Sequence, residues 1–73
     1  MTGSEKRRLA EIAAPYGRRV RLDEVGYESG MTLLRVTIQE GARYTILELD
    51  AATATLWADE MAHWAQAQPR EAG

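Results

Sequence analysis

Between Arg18 and Asp50 polar and apolar residues alternate, and glycine interrupts the alternation in the short stretches ESG and EGA. A period of two belongs to a strand, because successive side chains leave a pleated backbone on opposite sides. The same spacing on a helix would scatter apolar groups around its circumference. This stretch therefore dictates a three-stranded antiparallel meander. Gly41-Ala42 suits a two-residue turn, with glycine at the first central position as type II′ requires. That turn sets a register. Leu34 falls opposite Leu49, Val36 opposite Leu47 and Ile38 opposite Thr45 on one face, which is apolar. Arg35 falls opposite Glu48, Thr37 opposite Ile46 and Gln39 opposite Tyr44 on the other, which carries a charge pair. In the first strand Val20 and Leu22 keep one phase, whereas Val25 and Tyr27 keep the other. A bulge near Asp23-Glu24 is the expected device for bringing both pairs to one side.

The flanks have helical signals. Thr2 and Glu5 stand at capping-box spacing, Leu9, Ile12 and Ala13 fall on one helical face, and Pro15 and Gly17 provide a stop, so an N-terminal helix is expected. After Asp50, a good N-cap, the run AATATLWADEMAHWAQAQ gathers Ala54, Trp57, Ala58, Met61, Trp64 and Ala65 on one side at about 100° per residue. The expected architecture is α+β in the order α-β-β-β-α, a single small domain over residues 1–73. Its C-terminal amphipathic helix would cover the sheet's apolar face with Trp57, Met61 and Trp64. Residues 5–67 would form the ordered core and 68–73 a frayed tail.

A chain of 73 residues buries only about 60% of its unfolded surface, so little stability is in reserve and an interface would help. With 45% hydrophobic and 27% charged residues it is too apolar for a disordered chain. It contains no cysteine, which removes disulfides and thiolate metal sites and favours a reducing compartment. No apolar run resembles a signal-peptide core or a membrane span. A cytoplasmic location is the expectation.

The residues that could carry chemistry are sparse. Asp59, Glu60 and the single histidine, His63, lie together on the last helix, but on the side opposite the Trp and Met stripe. Metal binding needs three or four ligands converging under a supporting shell, and no second histidine or thiolate is available. The expected role of the trio is a solvated helix face with an Asp59–His63 contact. A nucleophilic triad would have to draw on Ser4 or Ser29, one near a terminus and the other in a turn. Each turn glycine serves a hairpin, and none forms a phosphate-cradling loop. No enzyme, no metal and no cofactor is expected.

Surface features point to partners instead. In a three-stranded sheet RRVRLDEV and YTILELD would be the edges, and only the first is crowded with charge that discourages strand addition. Leu33, Tyr44, Thr45, Ile46 and Leu47 are therefore the candidate protein-interaction surface, for a second copy or another protein, unless a helix end or the N-terminal segment covers that edge. Lys6, Arg7, Arg8, Arg18, Arg19 and Arg21 face only Glu5 and Glu11 in residues 1–21, a balance of +4, while residues 22–73 balance at −6. That asymmetry suits either complementarity within the chain or, as the alternative, nucleic-acid binding through those six residues.

The order α-β-β-β-α resembles the topology of double-stranded-RNA-binding domains. That family grips phosphates with lysines at the start of its second helix, whereas DAATATLWADE has no basic residue. The run APYGRRVRLDEVGYESGMTLLRVTIQEGARYTILELDAATA resembles the shared centre of a family of short, uncharacterised bacterial proteins. The resemblance implies a bacterial cytosolic protein of unknown function and brings no site residues with it. A non-catalytic interaction module or homodimer is the expected role, with no membrane contact.

Overall fold

The alternating stretch folds as expected from its turns, but it is joined by a fourth strand. The computed structural model describes residues 4–69: strands β1 (Ser4–Ala14), β2 (Arg18–Tyr27), β3 (Thr32–Glu40) and β4 (Arg43–Leu49), then a helix α1 (Ala51–Gln66). The four strands form one antiparallel sheet in the order β1-β2-β3-β4. β3 and β4 take the register set by the Gly41-Ala42 turn, from Leu34 opposite Leu49 to Gln39 opposite Tyr44. Gly41 has a φ of 62°, the left-handed value that a type II′ turn needs at its first central residue.

The expected N-terminal helix is not formed; its residues are β1, and the order is β-β-β-β-α. The reason lies at Leu9. β1 pairs with β2 as Arg8 opposite Asp23 and then Ala10 opposite Leu22, so Leu9 is an extra residue in a bulge. A bulge inserts one residue into a period of two, which leaves Leu9 and Ile12 at the i, i+3 spacing of a helix. On either side of it the strand alternation is intact, with Lys6 and Arg8 before and Ala10, Ile12 and Ala14 after. Pro15–Gly17 is a hairpin connection and no helix stop, with Tyr16 and Gly17 both in the left-handed region at φ 65° and 77°. Thr2, the other half of the capping box, lies outside the described residues.

The bulge expected near Asp23-Glu24 is also absent. β2 pairs with β3 without interruption from Arg19 opposite Gln39 to Gly26 opposite Thr32. Asp23 and Val25 therefore share the face of Arg35 and Leu33, and Glu24 turns to the opposite side. The irregularity that the sheet needed sits in the neighbouring strand, where an edge tolerates it more cheaply than an interior strand bonded on both sides.

Combining the registers assigns two faces. The apolar face has rows Ile12–Val20–Ile38–Thr45 and Ala10–Leu22–Val36–Leu47, followed by Leu34 and Leu49. Val36 and Leu49 on this face and Val25 on the other form the buried apolar core, at 6%, 8% and 2% exposure. The charged face carries Arg8–Asp23–Arg35–Glu48 across all four strands, alternating in sign. Arg8 Nε donates to Asp23 Oδ1 at 2.7 Å, and Arg35 donates to Glu48 Oε2 from Nε at 2.9 Å and from Nη2 at 2.7 Å. The Tyr27 hydroxyl donates to Glu48 at 2.9 Å.

α1 starts where Asp50 requires it, the aspartate side chain accepting from the Thr53 N–H at 2.8 Å. It does not cover the sheet. No residue of α1 is buried, and Trp57, Met61 and Trp64 are 41%, 62% and 68% exposed. One residue joins β4 to the helix, so the direction of departure is set by the strand end and the cap, and α1 meets β3 and β4 only around its first turns. The molecule measures 49 × 30 × 16 Å, longer than the roughly 36 Å of an 11-residue strand such as β1.

Candidate functional site

The β4 edge is one of the sheet's two ends, and among the described residues no strand pairs with its outer side. The N-terminal segment that might have covered it lies at the far side of the sheet, as β1. RRVRLDEV, read from sequence as the other edge, is interior β2, hydrogen-bonded on both sides. The five candidate contact residues divide between the faces of the sheet. Tyr44 and Ile46 are exposed on the charged face with half-buried Leu33, and Thr45 and Leu47 lie on the apolar face. Four of them run along β4, whereas Leu33 is on β3 beyond the Leu34–Leu49 row, at the opposite end of the ladder from Tyr44, so they do not form one patch.

A larger apolar surface was missed by sequence reasoning. Ile12 and Leu9 are exposed on and beside the apolar face, where Val20, Leu22, Leu34, Ile38 and Leu47 are only half-buried. With the exposed stripe of Trp57, Met61 and Trp64 on α1, they are apolar surface that the described residues leave unburied. Two signals pointed to it. The one-residue link at Asp50 leaves α1 no slack to fold back, and Ala10, Ile12 and Ala14 alternate in the strand's period. Charges close this face at both ends, with Arg7 on Glu24 at 2.5 Å and Arg18 on Glu40 at 2.5 Å. A concavity of about 210 Å³ lies at one corner, lined by Leu9, Glu24, Leu34 and Leu49 among others. A second, of about 340 Å³, lies along α1 between Leu56, Trp57, Glu60 and Met61.

The five arginines of the basic set each meet a carboxylate within the sheet. Arg7 meets Glu24, Arg8 meets Asp23 at 2.7 Å, Arg18 meets Glu40, and Arg19 and Arg21 reach Glu11 at 3.4 and 3.3 Å. Lys6 and Arg8 with Arg19 and Arg21 occupy the charged face, Arg7 and Arg18 the apolar one, so the six do not present one basic surface. The pairing also tunes the acids. The hydrogen bond from Arg18 holds the Glu40 carboxyl below the usual carboxylate value, and bonds from Arg35 and then Tyr27 do the same for Glu48. The Thr53 hydrogen bond lowers Asp50.

Asp59, Glu60 and His63 are exposed on α1, and no ion pair joins Asp59 to His63 among the described residues. The contact expected from their spacing is not made, because on a solvated face each side chain gains as much from water. Among the described residues no group of three or more His, Cys, Asp or Glu is placed to hold a metal ion. Among the described residues no helix is long and apolar enough to cross a membrane.

No curated protein and no solved structure matches the chain. A family model matches residues 3–67, which takes in all four strands and the helix. The chain belongs to that family, described as a family of unknown function (DUF6967).

Proposed function

We propose that this chain is a small, non-catalytic protein-interaction module acting in the cytosol, and that its contacts are made on the β4 and α1 side of the sheet. One observation carries the reading. Among the described residues three apolar ones are buried, while Leu9, Ile12, Met31, Tyr44, Ile46, Leu56, Trp57, Met61 and Trp64 are all more than 40% exposed. Scattered exposed leucines are ordinary, but two tryptophans and a methionine on one helical stripe beside an open strand edge are the composition of a protein interface. Of the candidate contact residues, Tyr44, Thr45, Ile46 and Leu47 lie on the β4 edge, where the outer side of the strand is available for strand addition, and Leu33 lies in the neighbouring interior strand β3.

The reading of a non-catalytic role rests on the exposed position of Asp59, Glu60 and His63, which gives none of them a dry site. The alternative, nucleic-acid binding through Lys6, Arg7, Arg8, Arg18, Arg19 and Arg21, is weakened by the carboxylates that already meet the five arginines. The test is co-purification of the tagged chain from its own cells with and without nuclease. A stoichiometric protein, or a second copy of the chain, that persists after nuclease supports the module. Material that disappears with nuclease, and binds a polyanion with steep salt dependence, overturns it in favour of the alternative.

A further inference from the structure

The chain carries two apolar surfaces, one on the sheet and one on α1, and the Trp57, Met61 and Trp64 side of the helix is not buried on the sheet. The sheet's apolar face is centred on buried Val36 and half-buried Leu22, Ile38 and Leu47, with charges at both ends. The helix stripe of Trp57, Met61 and Trp64 is open to solvent. A helix of 16 residues is about 24 Å long and 10 Å wide, which is the footprint that a field four strands wide, at about 4.8 Å per strand, can accept.

Within one chain the two surfaces are held apart. Asp50 is the whole connection between β4 and α1, with its side chain bonded to the Thr53 N–H and its carbonyl accepting from Ala54 N–H at 2.9 Å. Swinging the helix back over its own sheet would require Leu49 and Asp50 to leave the extended backbone in which Asp50 stands at φ −83° and ψ 174°.

The size of the uncovered surface shows what is missing. The accessible surface is 5908 Å², against about 4,500 Å² expected for a compact protein of 8.2 kDa. The excess is larger than the roughly 800 Å² that each partner contributes to a stable interface of standard size. The radius of gyration is 14.8 Å, where a compact chain of this length would have about 11 Å. A polar rim around an apolar centre is also the anatomy of an interface.

We infer that the occupant of this face is a second copy of the chain, in a two-fold dimer in which α1 of each copy lies across the apolar face of the other's sheet. This rests on the interaction-module reading and names its partner. Two-fold symmetry makes the contact reciprocal, so a single geometry covers both sheets and both stripes at once. The charged faces, with their rows of ion pairs, stay outside. Strand addition at β4 plays no part in it.

The test uses the natural chain. Isotope-labelled and unlabelled protein are mixed, and contacts between different chains are read by filtered nuclear Overhauser spectroscopy, with light scattering for mass. The expected result is a mass twice 8.2 kDa, with intermolecular contacts from the Trp57 and Trp64 rings and the Met61 methyl to the methyls of Val36, Ile38 and Leu47. The double variant M61E/W64E is expected to halve the mass and abolish these contacts while keeping the sheet's amide pattern. Intermolecular contacts confined to residues 44–47 would overturn the helix exchange and leave self-association standing. A chain monomeric at millimolar concentration would overturn the inference, and a different protein captured in the co-purification would then preserve the module reading alone. A monomer that captures nothing would sink both.

Discussion

The sheet and the helix are held by different means. β2 and β3 are bonded on both sides, bury Val25 and Val36, and place a nearly buried Asp23 against Arg8. α1 has 16 residues, none buried, and is held within its own chain by little more than an N-cap and its first turn. A free helix of about 15 residues is marginal in water. The difference teaches that the sheet's stability comes from burial and pairing within the chain, whereas α1 draws little from packing against it.

The sharpest way to break that comparison is to truncate one side chain in each region. Val36→Ala is expected to cost about 2 kcal/mol in urea unfolding, from lost apolar burial and the cavity left behind. Trp64→Ala is expected to cost less than about 0.5 kcal/mol in protein dilute enough to be monomeric, and more as concentration rises. Equal costs in dilute protein would mean that the helix packs within its own chain.

Arg8→Met tests how far the charged face belongs to the sheet's own stability. Asp23 is 2% exposed, so removing its partner leaves a buried carboxylate with Arg35 opposite as its remaining cation. Roughly 1–2 kcal/mol is expected, below the cost for a fully buried pair because Arg8 itself is 47% exposed. Arg7→Met, at a residue whose side chain is 70% exposed, should cost no more than about 0.5 kcal/mol. A reversed order would contradict the burial of Asp23.

Asp50→Ala should weaken the helix by about 1 kcal/mol and lower helical ellipticity, leaving the sheet's amides protected. Loss of both together would show that sheet and helix fold as one unit. Acid should act more gently on the sheet. Glu40 and Glu48 have folded pKa values below the ordinary carboxylate value, so their stabilisation is complete above that value and is lost as the pH falls through the lowered ones. Glu48→Gln should flatten the acid limb of a stability curve measured from pH 6 downward, and an unchanged limb would assign the acid sensitivity elsewhere.

Much of the sheet could be read from local chemistry. The Gly41-Ala42 turn and the alternation on either side determined the β3–β4 register residue by residue, and Asp50 marked the start of the helix. β1 was misread because one inserted residue, Leu9, turned a strand's spacing into a helix's. β2 was given a bulge that its neighbour carries, since a single strand's pattern cannot say which member of a pair absorbs the irregularity. Of the candidate site, Tyr44 and Ile46 were placed on the correct strand face, but the open apolar face went unseen because Trp57, Met61 and Trp64 have the periodicity of a core.

The sequence by itself determined which residues alternate, where the chain turns and which helix side is apolar, all of which depend on neighbours a few positions away. Tertiary structure decided that the N-terminal segment would pair with β2 and that α1 would leave the sheet uncovered. Both depend on long-range geometry: a hairpin closed at Pro15–Gly17, and a one-residue link whose cap sets the helix's direction.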